Sequence, residues 1–178
     1  MELTLDQIDW HDMQGRRVRP RIYNGMVVFL PWRKGFRDLI LWASGKSNYY
    51  ISKLLNQVWN ATSYTFPTTE YFALWTATLS ASSTGSTAGE ASYTGYARVA
   101  MTCNATNFST SSSGSSTTNN VAITWPSNTG TTQTMTYAAA CDASTTGNII
   151  YWGSITSTPI NNGDTPQVAA SGLTSSEA

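Results

Sequence analysis

Short apolar segments alternate with clusters of turn residues along the last third of the chain. The pattern predicts strands over residues 136–140, 148–156 and 167–173, separated by turns over 142–147 and 161–166. The turn clusters are rich in Asn, Asp, Gly and Pro, which bond their own backbone or adopt backbone angles that other residues avoid. A strand followed by such a cluster roughly every eight to twelve residues is typical of an antiparallel sandwich or barrel. We therefore predict a mainly β fold, an antiparallel β-sandwich of jelly-roll or immunoglobulin-like topology.

The middle of the chain continues this pattern less regularly. Residues 70–79 carry bulky apolar side chains at both odd and even positions, which predicts a strand that is buried on both faces. Further strands are predicted over residues 95–104 and 121–125. Residues 80–89 are predicted to form an exposed loop, and residues 108–120 either a flexible loop or an exposed strand. These segments add strands to the same sandwich.

Residues 47–61 differ from the rest because their apolar residues recur with the period of a helix. The apolar positions are Tyr50, Ile51, Leu54, Leu55, Val58 and Trp59. Ser47 or Asn48 precedes them and can cap the first turn, because a short polar side chain accepts a hydrogen bond from a free backbone N–H there. The pattern predicts one amphipathic helix, and we expect its apolar stripe to pack on the sheet as part of the core.

The charged residues are distributed unevenly over the 178 residues. Residues 16–53 hold nine basic residues and one acid, Asp38, which is a net charge of +8. From residue 54 onward a single base, Arg98, stands against five acids, which is a net charge of −4. This asymmetry indicates a basic arm and a mildly acidic body. It predicts an acidic partner for the arm, either nucleic acid or a protein surface.

The basic arm is also rich in aromatic residues. Pro20 favours an extended path through the arginines of residues 16–21, a short strand is predicted over 27–30, and residues 36–42 are either helical or extended. Arg, Trp and Tyr dominate the hot spots of interfaces, so we predict that the arm contacts a partner. The alternative is that its aromatic residues pack under the sheet. The predicted contact residues are Arg16, Arg17, Arg19, Arg21, Trp32, Arg33, Lys34, Phe36, Arg37 and Trp42.

The composition favours a folded chain. Charged residues make up only 11% of the sequence, which on its own would suggest disorder, but there are also seven Trp, nine Tyr and five Phe. Disordered chains are poor in aromatic residues, so the composition indicates a β-protein with polar, uncharged surfaces. The length suits one domain with an arm. We predict an N-terminal arm over residues 1–46 and a β-sandwich domain over residues 47–178.

Several blocks of sequence occur in residues 47–178 in a recognisable order and spacing. After the predicted helix and Pro67 come YFALWTA at 71–77, EASYTGYARVAMT at 90–102, VAITWP at 121–126 and the closing block at 147–173. Together they resemble a family of small bacteriophage virion proteins that are labelled tail fibre protein, minor structural protein or head decoration. Residues 1–46 are an addition to that pattern. In addition, YAAACDA at 137–143 lacks the tryptophan and glycine that are usual in the family.

The resemblance implies a non-enzymatic structural role at the surface of the virion, without a cofactor, after assembly in the host cytoplasm. It also implies a homo-oligomer, with a trimer favoured, whose partners are the major capsid protein or other virion proteins. Together with the basic arm, it favours a capsid decoration (cement) protein that bridges and stabilises capsid subunits through that arm. The alternative is a tail fibre or receptor-binding protein of the virion, for which exposed Trp and Tyr would stack on carbohydrate.

Residues suited to catalysis are scarce. His11 is the only histidine, and the sequence contains no common motif for a nucleophilic serine, a zinc protease or a phosphate-binding loop. Glu70 and Glu90 could act as a pair of glycosidase carboxylates. Isolated carboxylates in a polar β-protein are usually solvated, however, so we predict no enzymatic activity.

The remaining candidates for chemistry or binding also carry little weight. Cys103 and Cys141 could form a disulfide, but two buried thiols are the interpretation we favour, and their spacing does not indicate a metal site. The basic residues of the arm are interrupted by apolar ones, which favours a protein partner over direct contact with DNA. The longest apolar run, residues 26–32, is too short to span a membrane.

Overall fold

A computed structural model of the chain describes residues 10–11, 17–23, 26–31, 36–38, 41–42, 45–109 and 116–176. Contacts between residues divide the chain into two units, Met1–Phe36 and Arg37–Ala178. The first unit contains an antiparallel sheet of the strands β1 (Trp10–His11), β2 (Arg17–Tyr23) and β3 (Met26–Pro31), in that order. Tyr23 pairs with Met26, so β2 and β3 form a hairpin. This confirms the extended path at 17–21 and the strand at 27–30, while Asn24 and Gly25 lie outside the described residues.

The remaining elements belong to the second unit, apart from Phe36 at the start of β4. They are β4 (Phe36–Asp38), β5 (Leu41–Trp42), β6 (Gly45–Lys46), α1 (Asn48–Trp59), β7 (Thr69–Trp75), β8 (Val99–Thr102), β9 (Ser116–Thr118), β10 (Ile123–Thr124), β11 (Gln133–Cys141), β12 (Ile149–Ile160), β13 (Thr165–Val168) and β14 (Leu173–Ser176). Five of them form an antiparallel sheet in the order β6–β12–β11–β7–β8. Two smaller sheets have the orders β10–β13–β4 and β5–β14–β9. Strand β5 pairs with β14 in parallel.

The hydrophobic core lies on both faces of the five-stranded sheet. On one face Phe72 and Leu74 of β7 pack with buried residues of β11 and β12 and with Ile123, Val168 and Leu173 of the smaller sheets. On the other face a second cluster contains Ala73 and Trp75 of β7, Leu79, Ala139, Cys141 and Ile149. The strand that was predicted to be apolar on both sides is therefore confirmed. The arrangement is a mainly β sandwich, as the alternation of strands and turns predicted.

The two predicted turn clusters have the hydrogen bonds that Asp and Asn commonly make in turns. The carboxylate of Asp142 accepts from the backbone N–H of Asn148 at 2.7 Å and from its side-chain amide at 2.8 Å. In the second cluster Asp164 accepts from the backbone and side-chain nitrogens of Asn161, each at 2.9 Å. Gly147 and Gly163 adopt positive φ angles of 73° and 85°. These local bonds set the ends of β11, β12 and β13.

Helix α1 forms where its periodicity predicted, but its expected packing is wrong. Ser47 caps it, because its hydroxyl accepts from the backbone N–H of Tyr50 at 3.1 Å and also donates to the carbonyl of Ile149. Tyr50 is the buried residue of the helix, and its ring lies 5.2 Å from that of Tyr151 in the sheet. Because the helix is attached through Ser47 and Tyr50, the side chains of Ile51, Leu55, Val58 and Trp59 turn away from the core and are exposed. Leu54 is half-buried, so most of the predicted stripe is exposed instead of buried.

Candidate functional site

The predicted contact residues of the arm are described by their backbone positions alone. Arg17, Arg19 and Arg21 alternate along β2, Phe36 and Arg37 belong to β4, and Trp42 belongs to β5. Arg16, Trp32, Arg33 and Lys34 lie outside the described residues. Their role in binding a partner stays a prediction.

Arg98 forms a buried ion pair in the described part of the β-domain. Its guanidinium forms a bidentate ion pair with Glu90, in which Nε donates to Oε1 and Nη2 donates to Oε2, both at 2.7 Å. The remaining N–H groups donate to the backbone carbonyls of Gly85, Ala143 and Thr146 at 2.8 to 2.9 Å. The side chain of Arg98 is only 2% exposed, and that of Glu90 is 26% exposed. All five donors of the guanidinium are therefore used.

These contacts join the long connection between β7 and β8 to the turn between β11 and β12, which is distant in sequence. Gly85 belongs to the loop that was predicted to be exposed, yet it is buried, and its N–H donates to the carbonyl of Gly147 at 3.0 Å. A Cβ atom at Gly85 would lie 1.8 Å from the carbonyl oxygen of Thr146, so only glycine fits there. The loop is thus fixed to the turn after β11 and does not extend freely into solvent.

Two buried asparagines fix further loops in the same way. The amide nitrogen of Asn119 donates to the carbonyls of Val121 and Ala169 at 2.9 and 2.8 Å, while its oxygen accepts from the N–H of Leu173 at 2.8 Å. Asn128 donates to the carbonyl of Ile160 at 2.9 Å. Nothing in the polar sequence around either residue marked it as buried. Their effect is to hold long polar segments against the sheets.

A cavity of about 310 Å³ lies beside the first core cluster. Its lining includes Glu70, Phe72, Cys103, Phe108, Thr117 and Tyr151. Burial raises the pKa of the Glu70 carboxyl to about 7, because the charged form loses its hydration. The ring of Phe108 stacks on that of Phe72 with a centroid distance of 6.2 Å. The cavity therefore combines aromatic walls with one titratable carboxyl, a combination that can hold a small polar molecule.

The two carboxylates that were considered as a catalytic pair are far apart. Glu90 pairs with Trp75, which lies five residues along β7 from Glu70. At about 3.3 Å per residue, roughly 16 Å separates their backbone positions. Glycosidase carboxylates lie about 5 to 9.5 Å apart, and Glu90 is already bound to Arg98. In the described part of the chain, no group of three or more His, Cys, Asp or Glu could hold a metal ion.

The two cysteines are not paired with each other. Cys141 is buried and its pKa is raised to about 12, chiefly by desolvation. Cys103 is exposed, which corrects the expectation of two buried thiols. The reason is its place directly after the edge strand β8, where the chain leaves the sheet.

Comparison with known protein families gave a match over most of the chain. The model of a family described as Podophage GP4 fiber I protein gp80 matches residues 45–176. The match begins at β6 and ends in β14, so it includes the five-stranded sheet, the helix and the Arg98 contacts. No curated protein is significantly similar to the chain. Among the described residues, no helix is long and apolar enough to cross a membrane.

Proposed function

The chain belongs to the podophage GP4 fiber I protein gp80 family, and from this we propose that it is a fibre subunit of a phage particle. Membership makes it a bacteriophage virion structural protein, associated with other proteins of the virion. The observation that carries the proposal is the extent of the match, residues 45–176, over the whole β-domain. Capsid decoration, which the sequence favoured, is the role from which the fibre role must be distinguished.

The fixed loops of the β-domain support a structural role. Arg98 joins the β7–β8 connection to the β11–β12 turn through five hydrogen bonds, and Asn119 and Asn128 hold two more segments. A subunit of a particle must keep its shape outside the cell, and buried polar networks that are fully satisfied give a fold rigidity. The wide separation of Glu70 and Glu90 supports the further proposal that the chain has no glycosidase activity.

We assign the contact with neighbouring virion proteins to the arm, residues 1–46, and place the protein at the virion surface as a homo-oligomer, with a trimer favoured. Residues 16–46 of the arm hold eight bases and one acid, and this net charge of +7 supports a negatively charged protein surface as the partner of the arm. Replacement of Arg17, Arg19 and Arg21 with serine in the full chain should reduce incorporation into particles. Replacement of Lys53, a base outside the arm, is the control and should leave incorporation unchanged.

Copy number distinguishes a fibre from a decoration protein. Quantitative mass spectrometry of purified particles gives the ratio of this chain to the major capsid protein. The fibre role predicts a ratio far below one, because fibres occupy few positions on a particle. A ratio near one would overturn it in favour of capsid decoration.

The cavity supports a second role, the binding of a host saccharide by the fibre. Ligand pockets are typically about 300 to 1,000 Å³ with apolar walls and a few polar groups, and the cavity has the walls of Phe72 and Phe108 with the carboxyl of Glu70. Titration with a panel of hexoses and amino sugars tests this role. Binding by the wild type that falls at least tenfold in Phe108→Ala would support it, and no binding by the wild type would exclude it.

A further inference from the structure

The largest group of exposed apolar side chains in the described β-domain lies on helix α1. Ile51, Leu55, Val58 and Trp59 are 38%, 52%, 69% and 79% exposed. Their spacing of four, three and one residues places all of them on one side of the helix. We call these four residues the α1 stripe.

The α1 stripe is large enough to be an interface. From these exposed fractions and the sizes of the side chains, it leaves roughly 500 Å² in water, which approaches the ~800 Å² per partner that a standard interface buries. Monomeric proteins rarely expose contiguous apolar patches of more than a few hundred Å². The most exposed member is Trp59, and tryptophan is the residue type most enriched in interface hot spots.

The charge of the helix identifies the kind of partner. Lys53 is the one charged residue of α1, and it lies roughly 170° around the helix from the centre of the stripe. Its Nζ lies 5.3 Å from the ring of Tyr49, on that other side. The stripe itself is neutral and apolar, so it offers no charge to pair with an acidic shell or with the basic residues of the arm. A second neutral apolar stripe of the same length fits it best.

The position of the helix allows identical stripes to meet. Ser47 and Tyr50 attach α1 to the sheet on one side, and the stripe lies on another. Twelve residues are too few for a helix that is stable alone in water, so α1 depends on this attachment. In a closed symmetric oligomer, a rotation axis brings the same patch of each copy together. Positions 51, 55 and 58 also have the spacing of four and three that packs helices side by side.

We infer that the α1 stripe is the seam through which copies of this chain associate, with the helices packed against one another around a symmetry axis. The inference rests on the proposed role as an oligomeric fibre subunit and names the surface that forms the oligomer. It concerns the β-domain alone.

Sedimentation equilibrium of the purified full chain tests the seam. The wild type should be an oligomer. Val58→Asp should raise the dissociation constant of the oligomer at least tenfold and so favour the monomer. Gln57→Asp is the matched control, because it adds the same charge one residue away, on an exposed position outside the stripe. A monomeric wild type, an unchanged mass for Val58→Asp, or equal loss in both variants would overturn the inference.

A crosslinking experiment keeps the test valid if Val58→Asp fails to fold. Val58→Cys and Gln57→Cys are made in a Cys103→Ser background, which removes the exposed native thiol. Oxidation should give a covalent dimer with Val58→Cys and far less with Gln57→Cys, since a disulfide needs Cα atoms about 4.4 to 6.8 Å apart. Equal yields would contradict the seam. Both experiments use pure protein, so their outcome is independent of the copy number that tests the fibre role.

Discussion

Replacement of Arg98 with methionine should be one of the most damaging single changes in the β-domain. The side chain of Arg98 is 2% exposed and forms five hydrogen bonds, two to Glu90 and three to loop carbonyls. Methionine fills much of the same volume but leaves the Glu90 carboxylate without its counter-charge. Removing one partner of a buried ion pair costs about 3 to 5 kcal/mol.

The exposure of Glu90 moves the expected cost within that range. Its side chain is 26% exposed, so water recovers part of the lost interaction, whereas the carbonyls of Gly85, Ala143 and Thr146 each lose a donor. We expect a loss of about 4 kcal/mol in the free energy of unfolding, from the pair and the unmade bonds together. For a chain of this length that corresponds to a fall in Tm of roughly 10 °C.

Equilibrium unfolding in urea, followed by tryptophan fluorescence at one fixed protein concentration, measures this loss. Fixed concentration matters because association stabilises the folded state by mass action. Arg98→Lys is the control, because it keeps the charge but loses the bidentate geometry. It should lower the free energy of unfolding by about 2 kcal/mol. The double variant Glu90→Gln with Arg98→Met should cost less than the sum of the two single changes. A loss below about 1 kcal/mol for Arg98→Met would refute the assignment, since that is the range of exposed ion pairs.

Three further predictions concern other parts of the domain. The pKa of Glu70 is raised to about 7 from its ordinary value of 4.5, so between these pH values the folded state holds a proton that the unfolded state releases. The free energy of unfolding should therefore fall by on the order of 3 kcal/mol as pH rises from 4.5 to 7. Urea unfolding at a series of pH values measures this fall, and Glu70→Gln should abolish it. Gly85→Ala should destabilise the fold by about 3 kcal/mol, because the added Cβ would lie 1.8 Å from the carbonyl oxygen of Thr146. Gly163→Ala has open space around it but a φ of 85°, so it should cost only about 1 to 2 kcal/mol. Equal costs in thermal denaturation would contradict the steric argument. Asn119→Leu should cost about 3 kcal/mol, because it leaves two carbonyls and one N–H buried without partners; a neutral effect in the same assay would be inconsistent with those bonds.

Local chemistry made much of the fold predictable. The strand β7 has apolar residues at every position from Tyr71 to Trp75, and the turns at 142–147 and 161–166 use Asp, Asn and Gly in their usual roles, so sequence was enough to locate them. The helix was also predictable from its period and from Ser47. Periodicity shows that one face of a helix is apolar, however, and not what covers that face. For this reason the exposure of the α1 stripe was not predicted.

The features that the sequence did not predict depend on contacts between residues that are distant along the chain. Arg98 was visible as a lone base after residue 53, but its partners lie at Gly85, Glu90 and Ala143–Thr146 and meet only in the folded chain. Asn119 stands at the end of a polar stretch and is nonetheless completely buried. Burial of a polar side chain depends on which backbone groups surround it. A single sequence does not carry that information.

The location of this chain on the particle tests the central proposal most directly. Fab fragments raised against the purified full chain can be bound to intact particles and imaged by electron microscopy. The fibre role predicts label confined to fibre-like projections, at few positions per particle. Label spread evenly over the faces of the shell would contradict it and would establish a decorating role instead.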